Sequence, residues 1–322
     1  MPGLIASAIL ICLSFPNPWN IYGFGPLAWI ALIPLLAILH GRSLKSRLCL
    51  GFLHGILTYS LLLQWLWPVH AAGTMLFVLA LTIQTVIFAL LYKSPTDNQR
   101  CFYAAAAWVS AEWMRTLILQ GFYWGISYSQ SFEPALIQTA AYAGSYGVSF
   151  VIVLVNCFLW KAFQNPAGRK VSILWALAIF AVVYMAGAMR LNSVSHNKYS
   201  TAVCAIQPNI SPEVKQSLDD FAANIEAHVT LTNKALADVK TDIIVWPETS
   251  FPADIFKDTH WYPRLQKIAA QNNSVFVFGA VPFIKDKSFN SAAVLNRHGV
   301  LEGRYDKQFL VPISEYRPAK GF

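Results

Sequence analysis

Apolar residues dominate the first 190 positions in stretches far longer than one face of a soluble helix needs, and polar residues gather at the joints between them. A bilayer core takes about 20 apolar residues per helix. On that measure segments 3–16, 24–40, 48–68, 72–92, 102–121, 137–160 and 171–189 are predicted to span a membrane. The first is short, and Pro16-Asn17-Pro18 beside it reads as a turn. It lacks the charged start and the A-x-A site of a signal peptide, and many apolar runs follow it, so it reads as a first membrane segment.

The joints are not equivalent. Arg42, Lys45 and Arg47 follow the second span, Lys93 and Arg100 the fourth, and Lys161, Arg169 and Lys170 the sixth. On the other side only Arg115 lies near a helix end. Positive loops stay in the cytoplasm, which places the N-terminus there. Seven spans carry everything after Arg190 to the far side, the periplasm of a bacterium. Six or eight would return it to the cytoplasm.

Beyond residue 190 the pattern shortens. Runs at 201–207, 242–246, 274–279 and 292–296 have strand character, and 221–239 and 262–271 have helical periodicity. Strands alternating with helices predict an α/β domain whose strands are buried on both faces. The expected division is a transmembrane helical domain over 1–190 and a second domain over 191–322.

Composition sharpens this division. The chain is 56% hydrophobic and 12% charged, too apolar for an ordinary soluble protein. Residues 1–190 hold 10 Lys and Arg against 3 acidic residues, and the remainder holds 14 against 13. The net charge of +8 therefore belongs to helix-orienting loops and gives no sign of a nucleic-acid partner. The five cysteines form no CxxC, and there is no HExxH, P-loop or GxGxxG. Neither a metal nor a cofactor is expected.

Three places hold candidate chemistry. In Ile243-Ile244-Val245-Trp246-Pro247-Glu248 a strand stops at a proline and a carboxylate follows. Strand C-terminal ends are where α/β sheets present working groups. Between Trp246 and Phe251, Glu248 could have a raised pKa and act as a general base; an exposed loop glutamate is the plain alternative. In Tyr305-Asp306-Lys307, followed by Glu315, a partly buried Lys307 could stabilise an oxyanion, with Glu315 orienting it or acting as a second acid/base. A surface salt bridge among Asp306, Lys307 and Glu315 is the simpler account. Glu112 lies inside the fifth span, where a carboxylate is costly, and Arg115 three residues on could simply pair with it. Cys204, within a strand pattern, reads as packed core.

Taken in order, these motifs resemble the apolipoprotein N-acyltransferase family. The resemblance rests on Trp246-Pro247-Glu248-Thr249, on Tyr305-Asp306-Lys307 with Leu310-Val311-Pro312, Glu315-Tyr316 and Pro318, on Gln207-Pro208-Asn209-Ile210, and on Phe289-Asn290-Ser291-Ala292. Glu112-x-x-Arg115 with Gly121-Phe122-x-Trp124 and Tyr128-Ser129-Gln130 adds a membrane signature. It implies a polytopic membrane domain, for which the apolar runs here give about seven transmembrane helices, followed by a nitrilase-like α-β-β-α sandwich facing the periplasm from the bacterial inner membrane. It implies a Glu-Lys-Cys triad, with Glu248 as base, Lys307 at the oxyanion and Glu315 nearby. The implied reaction is ping-pong: a cysteine takes an acyl chain from a phospholipid and passes it to the amine of a diacylated apolipoprotein.

The chain departs from that pattern at Tyr123, where the family usually has Pro, and at Ile313-Ser314, where it has Phe-Gly. More consequentially, the family's nucleophile follows the lysine motif, yet no cysteine follows Cys204. The expectation is a nitrilase-like domain incomplete at its C-terminus and inactive as it stands. A membrane-anchored amidase and an inactive membrane scaffold are the alternatives.

Overall fold

The second apolar run does not form one continuous helix. A 3-10 turn over Gly25–Trp29 gives way to a short helix only at Ile33, because Pro26 and Pro34 withhold the amides a continuous ladder would use. In this computed structural model, residues 1–119, 124–193, 200–211, 221–251, 254, 258, 260–285 and 287–310 are described. The chain divides into two units, Met1–Ser195 and His196–Phe322.

The first unit is helical: α1 (Pro2–Ser14), α2 (Ile33–Leu39), α3 (Leu44–Leu62), α4 (Ala71–Leu91), α5 (Asn98–Ile118), α6 (Ala140–Gln164) and α7 (Arg169–Ser193). Among the described residues, three helices are long and apolar enough to cross a membrane: Ala71–Leu91, Leu136–Gln164 and Arg169–Ser193. Helix α7 shows why such a sequence suits lipid. Leu174, Leu177, Val182 and Met185 all face outward, and a helix apolar on every side finds no stable place in water.

Helices α3 and α4 approach closely at Gly51-x-x-x-Gly55. A Cβ on Gly55 would lie 2.4 Å from Thr85 Oγ1, and one on Gly51 would lie 2.7 Å from the Thr85 carbonyl oxygen. Small residues four apart permit this packing where lipid removes the hydrophobic drive between helices.

The break before α2 leaves backbone groups without a helical partner, and two distant side chains supply them. Asn156 of α6 accepts from the Leu32 amide at 2.9 Å and donates to the Ala28 carbonyl at 2.9 Å. Gln130 donates to the Gly25 carbonyl at 2.8 Å and accepts from Trp29 Nε1 at 3.0 Å. Both side chains are fully buried.

The second unit holds α8 (Phe221–Leu236) and α9 (Trp261–Asn272) with β1 (Val203–Ala205), β2 (Ile243–Val245), β3 (Val275–Ala280), β4 (Phe283–Ile284), β5 (Lys287–Ser288), β6 (Ser291–Leu295) and β7 (Leu301–Asp306). Five strands form one sheet in the order β1-β2-β3-β6-β7, and β4 pairs with β5 alone. Strands β1, β2 and β3 are parallel, while β6 and β7 are antiparallel additions.

The two sheet faces differ. Ile244, Phe276, Phe278, Ala293 and Leu295 are buried and share a core with Ile225 and Val229 of α8 and Leu265 and Ile268 of α9. Their neighbours in alternation, Ile243, Val245, Val275, Val277 and Val294, are only half-buried. The expectation of strands buried on both faces thus holds for the helix-covered face alone among the described residues. The β7 strand was not anticipated, because Glu302, Gly303 and Arg304 interrupt any apolar alternation on this sheet-edge strand.

Replacing Asn156 with Leu strands the Leu32 amide and the Ala28 carbonyl away from water. The expected cost is about 1–3 kcal/mol per orphaned group. It is measured as a lowered unfolding midpoint of the detergent-solubilised chain, and an unchanged midpoint would refute the bracing role.

Candidate active site

Strand direction explains why residues far apart in sequence converge. Glu248 leaves the C-terminal end of β2. Strand β6 runs antiparallel to β3, so its N-terminal end, preceded by Asn290, lies at the same edge. Strand β7 reverses again, so its C-terminal end, followed by Lys307, returns there. The Lys307 amide donates to the Asn290 carbonyl at 2.8 Å, which extends the β6–β7 ladder by one step and fixes where the lysine emerges.

The side chains meet at one carboxylate oxygen. Lys307 Nζ lies 3.0 Å from Glu248 Oε1, and Asn290 Nδ2 donates to the same atom at 2.6 Å. The side chains of Lys307 and Glu248 are 33% and 59% exposed. A carboxylate held by an ammonium and an amide has one oxygen committed to position, while its exposure keeps it accessible to a reacting group. Charge-assisted contacts of this kind orient a base and set a positive charge where an anion can form.

The apolar surround expected for Glu248 is not what the structure shows. Trp246 and Phe251 are both turned into the core. Trp246 Nε1 donates to Thr232 Oγ1 at 2.8 Å, and its ring lies 4.8 Å from that of His228. Trp246 continues the buried face that Ile244 begins, and Pro247 then ends the strand run, so Glu248 leaves the sheet without that ring beside it. Nor does Asp306 form the surface cluster considered for Lys307. It pairs with Arg304 at 2.8 Å and accepts from Ser291 Oγ at 2.6 Å. Glu315 lies outside the described residues.

The loop carrying Glu248 is pinned from below. Gly279 donates to the Pro247 carbonyl at 3.3 Å and accepts from the Phe251 amide at 2.8 Å and from Ser250 Oγ at 3.1 Å. A Cβ on Gly279 would sit 2.4 Å from the Thr249 nitrogen and 2.6 Å from the Pro247 oxygen. Thr249 itself has φ of 54°, a left-handed conformation that is strained for a β-branched residue. The close approach of Gly279 therefore sets the height and direction of Glu248. Sequence reasoning missed Gly279, although a glycine inside a buried strand is a signal of close backbone approach.

At the same edge a cavity of about 170 Å³ opens among Gln207 and Asn209 after β1, Asn224 and His228 of α8, and Pro247 and Thr249. Ligand pockets commonly enclose about 300–1,000 Å³, and this one is smaller. Cys204 lies within β1, in register with Ile244, and packs against the core.

In the helical unit, Glu112 and Arg115 are both buried. Glu112 Oε1 accepts from Trp108 Nε1 and from the Ile126 amide, each at 2.9 Å. Arg115 donates to the Trp124 carbonyl at 2.9 Å. Both side chains thus tie down the stretch after α5, a holding role that differs from the simple ion pair considered for them.

Residues 7–158 match the family described as apolipoprotein N-acyltransferase N-terminal domain, and residues 201–322 match carbon-nitrogen hydrolase. Among curated proteins, the apolipoprotein N-acyltransferase of Geobacter metallireducens is 30% identical over 98% of this chain and 64% of its own length. That of Wigglesworthia glossinidia brevipalpis is 26% identical over 93% of this chain and 63% of its own. That of Caulobacter vibrioides is 30% identical over 73% of this chain and 46% of its own. The chain thus spans between about half and two thirds of the length of these relatives. A solved N-terminal amidase aligns with a TM-score of 0.27 and 21% identity, over 34% of this chain and 28% of its own.

Gly279→Ala forces the Glu248 loop off its strand. The expected loss of stability is about 1–3 kcal/mol, typical of overpacking a filled site. Thermal unfolding of the full chain measures it, and a wild-type midpoint would show that the loop yields without cost.

Proposed function

The chain belongs to the apolipoprotein N-acyltransferase family, and from that premise we propose that its second unit transfers a fatty acyl group from a phospholipid to the α-amine of an apolipoprotein's diacylglyceryl-cysteine. The observation that carries the reading is the contact of Glu248 with Lys307 at 3.0 Å, in a carbon-nitrogen hydrolase domain that shares its chain with an acyltransferase N-terminal domain.

The chemistry runs in two halves. Glu248 takes the proton of a cysteine thiol, and the thiolate attacks the ester carbonyl of the donor. Negative charge gathers on the carbonyl oxygen beside the Lys307 ammonium. Collapse forms a thioester and expels the lysophospholipid alkoxide, which recovers the proton from Glu248. The acceptor amine then attacks the thioester, Glu248 removes the amine proton, and the thiol is regenerated as the amide forms. In this reading Glu315 is a further carboxylate near the site. Cys204 is not the thiol, since it is packed within β1. The reading assigns the nucleophile to a cysteine other than Cys204, and the relatives are longer than this chain.

The proposal extends to topology. Seven spans, oriented by the positive joints, place the N-terminus in the cytoplasm and the second unit in the periplasm of the inner membrane. Both substrates are lipids, so a site tethered to the bilayer meets them at their own surface.

Two experiments decide these points. In a strain depleted of its own N-acyltransferase, the chain joined to a cysteine-containing C-terminal segment should restore triacylated lipoprotein N-termini, read by mass spectrometry. Glu248→Gln or Lys307→Ala in that protein should lower turnover by at least about 10²-fold, the usual cost of removing a general base or an oxyanion-stabilising group. Full activity in either variant rejects the assignment. A protease-cleavable tag at Asn192 should be cut from the periplasmic face, and cleavage only from the cytoplasm refutes seven spans.

A further inference from the structure

At one end of the helical unit the end of α2, the start of α3, the end of α4 and the start of α5 meet around a cavity of about 500 Å³. Its wall carries four cations, Arg42, Arg47, Lys93 and Arg100, and no acidic residue. The remaining wall is aliphatic and aromatic, with Leu39, Leu90, Tyr92 and Tyr103.

The cations are only partly committed. Arg47 donates through one guanidinium nitrogen to the Tyr92 carbonyl, while its Nε is buried and bonds no group among the described residues. Lys93 Nζ sits over the Tyr103 ring, 4.6 Å from its centre. Arg100 lies 3.2 Å from Asp97, with both side chains more than half exposed, a pair that water screens heavily. Arg42 is exposed. The site therefore holds a clear excess of positive charge, with one buried donor left over.

The setting selects the occupant. The cavity lies at the end of the apolar helix α4, and Leu90 and Tyr103 in its wall are 52% and 38% exposed, a surface suited to acyl chains. Cations at such a boundary attract anionic headgroups. We propose that this cavity binds the phosphodiester headgroup of an anionic glycerophospholipid, with the acyl chains laid against Leu90 and Tyr103. The site is built entirely from residues of the helical unit, and in the proposed topology it lies in the leaflet on the side of the positive joints. It rests on the membrane-spanning reading, and not on the proposed chemistry.

A soluble phosphoester offers the same headgroup chemistry, so the test has two arms. The full 322-residue chain is reconstituted in nanodiscs of mixed phosphatidylglycerol and phosphatidylcholine, and the lipids retained on release into detergent are counted by native mass spectrometry. Wild type is expected to retain phosphatidylglycerol about tenfold over phosphatidylcholine. Arg42→Gln and Lys93→Gln should each reduce that preference roughly fivefold, on the order of one surface cation's attraction to anionic lipid. Neither side chain braces the backbone, and Arg42→Lys should preserve the preference. Lys170→Gln, a lost charge elsewhere among the positive joints, should leave it unchanged. Equal retention of the two lipids, or equal loss in all the neutralised variants, overturns the site. Displacement of the lipid by millimolar glycerophosphoglycerol would reassign the cavity to a free phosphoester and overturn the lipid proposal. A chain that does not enter the discs overturns the membrane reading along with it.

Discussion

A peptide N–H or C=O withdrawn from water remains a liability until it finds a partner, and both units are shaped where the regular ladder supplies none. Before α2 the missing partners come from Asn156 and Gln130, each reaching across more than 100 residues of sequence. These two side chains fix where the broken segment sits against α6 and against the stretch after α5. Glu112 and Arg115 repeat the device on that stretch, through the Ile126 amide and the Trp124 carbonyl. In lipid there is no water to take their place.

The same rule governs the second unit, on a different scale. Pro247 ends β2 and contributes no amide, so the chain beyond it is recaptured by Gly279 on the neighbouring strand. That recapture requires a backbone without a side chain, and it holds Thr249 in a strained conformation. The acid emerges from this knot, and Asn290 and Lys307 arrive from the two antiparallel strands. The geometry of the pair follows from sheet topology: two reversals of direction bring three chain positions to one edge.

Much of this was legible beforehand, for identifiable reasons. The helices of the first unit announce themselves through long apolar runs, and β2 through Ile243-Ile244-Val245 stopping at a proline. Glu248 and Lys307 stood out as charges among apolar neighbours. Their meeting was not legible, because it depends on β7, whose Glu302-Gly303-Arg304 hides the strand pattern. Nor was the environment of Glu248, since Trp246 stays in the core while Pro247 breaks the strand before the acid. The break before α2 was hidden by its apolar composition, which looks the same whether a segment is one helix or two. Asn156 gave no warning either: a single polar residue in a long apolar helix becomes meaningful only when its acceptor and donor are in view.

The sheet order β1-β2-β3-β6-β7 runs in the sequence of synthesis. Each strand of this sheet can be laid beside one already made, so the domain can assemble by accretion, with no gap left for a later strand to enter. The price falls on Glu248, which is translated 59 residues before Lys307. Until the last strand docks, its carboxylate faces water without its ammonium partner. Pairing of that carboxylate with Lys307 is thus a late event, and a stalled chain would carry the nascent site unassembled.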